Sequence, residues 1–320
     1  MHNLKQFPNK DEITFKPAFI EHYTKLTDWE TFKKYCLSFL RRSIRVNTLK
    51  STISEVKKRL EEQGYTLEPV PWCKEGFFIE HKEGRRDAGN TIEHQLGYFY
   101  IQEAASMIPP IALGPKENET ILDLAASPGS KTTQIAQMMK NTGLIIANDI
   151  SGARMIPLST NITRMGITNT ITTIMHGQQF AKFNELFDKA LIDAPCSGTG
   201  TIRKSVKTIK IWNPKVLKNI SNVQKELLQT AFNCVKPNGT VVYSTCSLEP
   251  EENESVVSWL IEKNPNAKLE EIKISGLKST PPVEEFEGAK YNSEIRKTIR
   301  LWPQDNDTEG FFIAKIKKTG

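Results

Sequence analysis

From about residue 91 onward, apolar runs alternate with amphipathic helical patterns, and this constrains the fold more than any other feature of the chain. TILDLAA is followed by KTTQIAQMMK, and LIIAND by ARMIPLSTNITRMG. TITTIMH and FDKALIDAP come next, and the helical stretch KNISNVQKELLQTAFNCV leads into GTVVYSTCS. Strands apolar on both faces, separated by helices, fold as a parallel sheet covered on both sides. The expectation is an α/β, Rossmann-like core over residues 91–320, with the terminal EGFFIAKIKK as a further strand.

Residues 1–90 read differently. DWETFKKYCLSFL (28–40) has a helical period, SIRVNTLK (43–50) reads as a basic strand, and Ser51 is placed to cap a helix ending at Gly64. TLEPVPWC and GFFIEHK read as two more strands. The polar stretch 83–91 marks the boundary of this smaller α+β domain. A hydrophobic fraction of 38% with 25% charged residues suits a globular protein. No apolar run is long enough to span a bilayer, and the amino terminus lacks a secretory layout, so the expected location is cytoplasmic and away from membranes.

The first strand of the core runs into Asp123-Leu124-Ala125-Ala126-Ser127-Pro128-Gly129-Ser130-Lys131-Thr132 and then a helix. Small residues let the backbone approach a ligand, and free N–H groups at a helix start bind its polar groups. The spacing is neither that of a P-loop nor GxGxxG, which counts against a nucleotide pyrophosphate. Asp149, at the carboxyl end of the second strand, is placed to accept hydrogen bonds from ribose hydroxyls or to cap the next helix. Together the two segments favour a nucleoside cofactor, and S-adenosylmethionine fits them better than NAD.

Five cysteines, at 36, 73, 196, 234 and 246, have no CxxC pair, which argues against a disulfide framework or a zinc cluster. Cys196, in DAPCSGTG, and Cys246, in YSTCSLEPEENE, each follow an apolar strand, and such strand ends line the ligand crevice of open α/β sheets. On adjacent strands, about 4.8 Å apart, the two thiols would converge on one substrate. Cys36, Cys73 and Cys234 read as small buried hydrophobes. A thiol beside a methyl donor has a specific use. Carbon 5 of a pyrimidine is a poor nucleophile until a thiolate adds to carbon 6, and Asp193 could favour protonation at N3 during that addition. The residues alone do not choose between Cys196 and Cys246.

SIRVNTLK, GYFYIQEAASMIPP, LDLAASPGSKT, ANDISGARM, LIDAPCSGTGTIRK, VVYSTCSLEPEENE and GFFIAKI together span nearly the whole chain. In these segments the chain resembles the Sun/Nop family of RNA 5-methylcytosine methyltransferases, and within it the archaeal tRNA enzymes. The resemblance implies a seven-stranded, mostly parallel methyltransferase sheet. It implies that Cys246 attacks carbon 6 and that Cys196 helps release the product. It further implies cofactor contacts from Ala125, Ala126, Ser127, Pro128, Gly129, Ser130 and Lys131, with Asp149 on the ribose and Arg154 and Asp193 nearby. Two positions depart from the family pattern. Ser130 stands where glycine is usual, and His176-Gly177-Gln178 replaces an acidic residue after the third strand.

The charge of +6, from 43 basic and 37 acidic residues, is compatible with a polyanionic partner. Arg203, Lys204, Lys207 and Lys210 follow the Cys196 loop with Trp212 just beyond, a pattern suited to phosphates and an unstacked base. Arg41, Arg42 and Arg45 offer a second basic strip on the amino-terminal domain, which resembles the family's RNA-engaging module. The expected partner is RNA, tRNA first, with no obligate protein partner. The competing readings are a ribosomal RNA enzyme, a DNA cytosine methyltransferase with Cys196 in its Pro-Cys dipeptide as nucleophile, and a non-catalytic RNA-binding scaffold.

Overall fold

The computed structural model describes residues 4–320. Helices α1 (Pro17–Thr24) and α2 (Trp29–Cys36) come first, α1 with proline in its first turn and α2 capped by the Asp28 side chain. β1 (Arg42–Val46) follows and stops short of the expected 43–50, because Asn47 turns the chain. The Asn47 amide donates to the carbonyls of Gly97 and Met165. In α3 (Ile53–Glu62) the cap is Thr52, whose hydroxyl accepts from the Glu55 amide, and not Ser51, which bonds the Glu55 carboxylate instead. β2 (Tyr65–Pro69), β3 (Gly76–His81), the short α4 (Ile92–Gln95) and β4 (Phe99–Ile101) complete a sheet of order β2-β3-β1-β4. The boundary expected at residue 90 therefore falls too early: Ile101 pairs with Ile44 in the small sheet.

α5 (Ile108–Leu113) leads into the large sheet. Its first half alternates as the sequence implies: β5 (Thr120–Asp123), α6 (Ser130–Met138), β6 (Leu144–Asp149), α7 (Gly152–Met165) and β7 (Thr170–Ile174). The second half holds β8 (Phe187–Asp193), α8 (Lys207–Ile211), α9 (Pro214–Cys234), β9 (Val235–Thr245) and α10 (Glu254–Lys263). β10 (Ala267–Glu270), the small hairpin β11 (Glu285–Phe286) and β12 (Ala289–Lys290), β13 (Ile299–Leu301), α11 (Pro303–Asn306) and β14 (Phe311–Lys318) close the chain. Seven strands run in the order β10-β14-β9-β8-β5-β6-β7, and β13 adds an eighth by pairing with β14. The five from β9 to β7 are mutually parallel, while β14 inserts antiparallel between β9 and β10.

Alternating residues of each strand face opposite cores. Ile121, Leu191 and Val242 pack under α5 and α6, whereas Leu122, Ala190 and Tyr243 pack under α9 and α10. Each buried Ile, Leu or Val among them contributes about 1.5–3 kcal/mol by leaving water. From β5 the chain proceeds outward through β6 and β7, then returns to build β8 and β9 on the other side. The reversal lies between β5 and β8, where open α/β sheets place a ligand crevice at the carboxyl ends. α1 and α2 also pack against this end of the molecule, with Phe19, Tyr23 and Phe32 joining Trp212, Leu248 and Trp302 in one cluster.

Candidate active site

β8 ends at Asp193 and β9 at Thr245, and their parallel register sets Asp193 beside Ser244. Three residues past Asp193 and one past Thr245, the chain delivers two sulfurs to the same point: Cys196 Sγ and Cys246 Sγ lie 3.3 Å apart. Backbone crossings hold both loops. Gly200 N–H donates to the Cys246 carbonyl and Gly310 N–H to the Gly200 carbonyl, each at 2.9 Å. A Cβ on Gly200 would come within 2.3 Å of the Gly310 oxygen, so only glycine permits the crossing. Glu252 Oε2 accepts the Ser197 N–H at 2.9 Å and a Gln224 amide N–H at 3.1 Å, fixing the Cys196 loop from below. The other three cysteines are buried elsewhere.

The hydrogen bond to Cys246, then burial, then the nearby charges of Cys246, Glu252 and Asp193 push the Cys196 thiol well above its ordinary range. Asp193 Oδ2 accepts from Lys131 Nζ at 2.6 Å, and Oδ1 from the Ser244 hydroxyl at 2.9 Å. Lys131 also donates to the Ser106 hydroxyl at 3.0 Å and lies 5.4 Å from the Phe311 ring centre. Burial pulls its ammonium down, but the charge and hydrogen bond of Asp193 outweigh this and raise it, so Lys131 stays charged. The sequence reading placed Lys131 only in the cofactor loop, whereas its ammonium reaches the thiol and carboxylate cluster. Ser106, Ser244, Glu252 and Phe311 escaped that reading. All lie within the family-like segments quoted above, but nothing in their residue types sets them apart.

The remaining loop residues follow β5 at the carboxyl edge of the sheet, beside the reversal between β5 and β8. Ala125–Gly129 turn from β5 into α6, with Gly129 at φ +99° against Leu158. Asp149, at the end of β6, accepts Ser127 N–H through Oδ2 at 3.0 Å. Through Oδ1 it accepts Ile150 N–H and Arg154 Nε. Oδ2 keeps one acceptor position for a ribose hydroxyl. Ile150 leaves 56% of its surface exposed beside it, an apolar face suited to a purine. Ser130 at the helix start gives its carbonyl to Arg45 Nη1 at 2.9 Å. Gln178 is engaged with Glu226. These groups fit S-adenosylmethionine. Among the described residues no cluster of metal ligands occurs.

The profile of the family described as 16S rRNA methyltransferase RsmB/F matches residues 110–317, and that of the N-terminal domain of 16S rRNA methyltransferase RsmF matches residues 15–104. The chain belongs to the RsmB/F family. It is thus an RNA methyltransferase, and S-adenosylmethionine is its cofactor. It is 50% identical over 300 residues to the tRNA (cytosine(49)-C(5))-methyltransferase of Pyrococcus abyssi, covering 93% of this chain and 95% of that one. It is 44% identical to the ribosomal RNA small subunit methyltransferase F of Vibrio atlanticus, covering 91% of this chain but only 60% of that longer protein. The crystal structure of NSun6 from Pyrococcus horikoshii with SFG, an analogue of S-adenosylmethionine, superposes with a TM-score of 0.84 at 25% identity, covering 96% of this chain and 99% of that one.

The basic surface expected for an RsmB/F member needs three corrections. Arg203 is buried, and its guanidinium is used up on the carbonyls of Ser38, Phe39 and Thr308 and on Asp307. Arg45 is buried as well, bonded to Gln102, Ser130 and Thr133. Trp212 is a core residue whose indole N–H donates to Glu249 at 2.9 Å. None of the three can meet RNA. Arg41, Arg42, Lys204 and Lys207 instead line one groove of about 720 Å³ between the small sheet and the Cys196 side of the core, joined there by Arg86. Lys210 is exposed on α8 nearby. No helix among the described residues is long and apolar enough to cross a membrane.

Proposed function

We propose that the protein methylates carbon 5 of a cytosine in tRNA through a covalent adduct between Cys246 and carbon 6. The observation that carries this reading is the pair of sulfurs 3.3 Å apart beside the Lys131–Asp193 ion pair. A single thiol would serve many chemistries. Two at one point suit a reaction that must both add and expel a sulfur.

The Cys246 sulfur adds to carbon 6, with Asp193 and the Lys131 ammonium stabilising the charge that develops on the base edge. Electron density moves to carbon 5. S-adenosylmethionine supplies the methyl group that carbon 5 takes. Loss of the carbon 5 proton then re-forms the ring double bond and expels Cys246, and Cys196, 3.3 Å away, is placed to assist that release. The target base must be unpaired or flipped out to reach the sulfurs.

tRNA is favoured because the Pyrococcus abyssi relative matches over 95% of its length, whereas the chain spans 60% of the Vibrio atlanticus RsmF. Ribosomal RNA is the second reading, carried by that same RsmF likeness. Methyl transfer from labelled cofactor to separated tRNA, ribosomal RNA and DNA tests the proposal, with bisulfite sequencing of the labelled RNA. Label in tRNA at a single unconverted cytosine is the expected result. Label only in ribosomal RNA would move the substrate, and label only in DNA, or in nothing, would overturn the proposal.

A further inference from the structure

The loops that carry Cys196 and Cys246 run side by side past their strands and are fastened rung by rung. The two sulfurs meet at 3.3 Å, and the next residues, Ser197 and Ser247, meet through their hydroxyls at 3.1 Å. Thr199 Oγ1 then accepts the Leu248 N–H at 2.9 Å, and the Gly200 N–H reaches the Cys246 carbonyl. Both thiols are partly exposed, whereas Cys36, Cys73 and Cys234 are buried. A sulfur–sulfur bond is about 2.04 Å long, so an approach of about 1.3 Å would join the pair.

Because the folded strands already hold the sulfurs in contact, no chain segment has to be brought in for them to join. A hydroperoxide gives one oxygen atom to the first sulfur, making a sulfenic acid. Its O–O bond breaks, and the remaining oxygen leaves with the thiol proton as water or an alcohol. The second sulfur then displaces the oxygen from the first. The S–S bond forms, the S–O bond breaks, and hydroxide leaves as water with the second thiol's proton. The sulfurs have lost an electron pair, and the peroxide has gained it. A dithiol reverses the change by exchange through a mixed disulfide, and is itself left as the disulfide.

We propose that Cys196 and Cys246 form a reversible oxidation site, closed to a disulfide by a hydroperoxide and reopened by a dithiol. Closure removes the sulfur that adds to carbon 6, so the oxidised protein binds cofactor but transfers no methyl group. That consequence rests on the catalytic reading above; the bond between the sulfurs does not.

The intact protein is reduced with dithiothreitol, freed of it, exposed to hydrogen peroxide, blocked with N-ethylmaleimide and digested without reductant. Mass spectrometry should find the peptides carrying Cys196 and Cys246 linked, lighter by a pair of hydrogen atoms than the free peptides. Methyl transfer to tRNA should fall about tenfold or more and return on adding dithiothreitol, while S-adenosylmethionine affinity is kept. Cys196→Ala should form no link, and its Cys246 should instead go on to the sulfinic acid, which dithiothreitol does not reverse. In the intact protein, thiols still open to N-ethylmaleimide after peroxide would overturn the proposal. Sulfinic or sulfonic acid with no linked peptide would overturn it too, as would a link that dithiothreitol leaves closed. If the link forms and reopens while methyl transfer is unaffected throughout, the oxidation site stands and the catalytic role of Cys246 falls.

Discussion

Cys196 and Cys246 are 3.3 Å apart, and the proposed reaction gives them different work. The hydrogen bond between the two sulfurs, burial and adjacent negative charge push the Cys196 thiol upward, and the assignment of attack to Cys246 comes from the likeness to the family. Cys246→Ser should abolish methyl transfer. Cys196→Ser should slow turnover and accumulate a covalent protein–RNA adduct visible on a denaturing gel, and free release at the normal rate would contradict its role. Lys131 gives a third expectation. Lys131→Met leaves Asp193 without its cation, and kcat should fall by about 10²-fold or more while cofactor affinity changes less, separable by single-turnover kinetics and titration. Strand-end position alone reduced five cysteines to two. What could not be read was the reach of Lys131, because a lysine at the start of a helix can point along its loop or across the sheet, and only the Asp193 and Ser106 contacts decide which.

At the scale of elements, helix α1 is tied to the loop that follows Cys246. Glu249 accepts from Tyr23 and Trp212 through Oε1 and pairs with His22 through Oε2 at 2.7 Å. Burial lowers the His22 pKa, but the hydrogen bond and charge of Glu249 outweigh it and the net shift is upward. A folded pKa raised above the unfolded one adds stability that is fully present below about pH 6.5 and lost as pH rises through the folded value. Thermal melting of the intact protein should therefore lose this contribution as pH rises through that raised value, and Glu249→Gln should flatten that slope. The Gly200–Gly310 crossing is the second test. Gly200→Ala, whose Cβ would meet the Gly310 oxygen at 2.3 Å, should cost at least about 2 kcal/mol in denaturant unfolding. The alternation of strand and helix was legible because burial on both faces leaves a periodic trace. The end of β1 and the cap of α3 were not, since Asn47 and Thr52 act through partners that local sequence does not display.

For the whole molecule, the basic residues divide into those that build it and those that face solvent. Net charge and spacing do not separate the two kinds. Arg203 follows the Cys196 loop just as Lys204 does, yet one is buried with its donors used up and the other is exposed. Arg203→Ala should destabilise the fold, whereas Lys204→Ala and Lys207→Ala should leave melting unchanged and weaken RNA binding. Each lysine loss should reduce the slope of log affinity against log salt by about 0.7 for a single-stranded substrate. The small sheet likewise extends past the polar segment that marks a boundary in the sequence, because β4 pairs with β1 after a loop whose composition resembles a linker. The central claim, that Cys246 and not Cys196 attacks the base, is tested most directly by trapping. RNA and DNA containing 5-fluorocytosine, whose fluorine cannot leave as a proton does, are incubated with protein and S-adenosylmethionine, and the cross-linked peptide is sequenced. The expected product is an RNA adduct on Cys246; attachment at Cys196 in DNA, with none in RNA, would contradict the account.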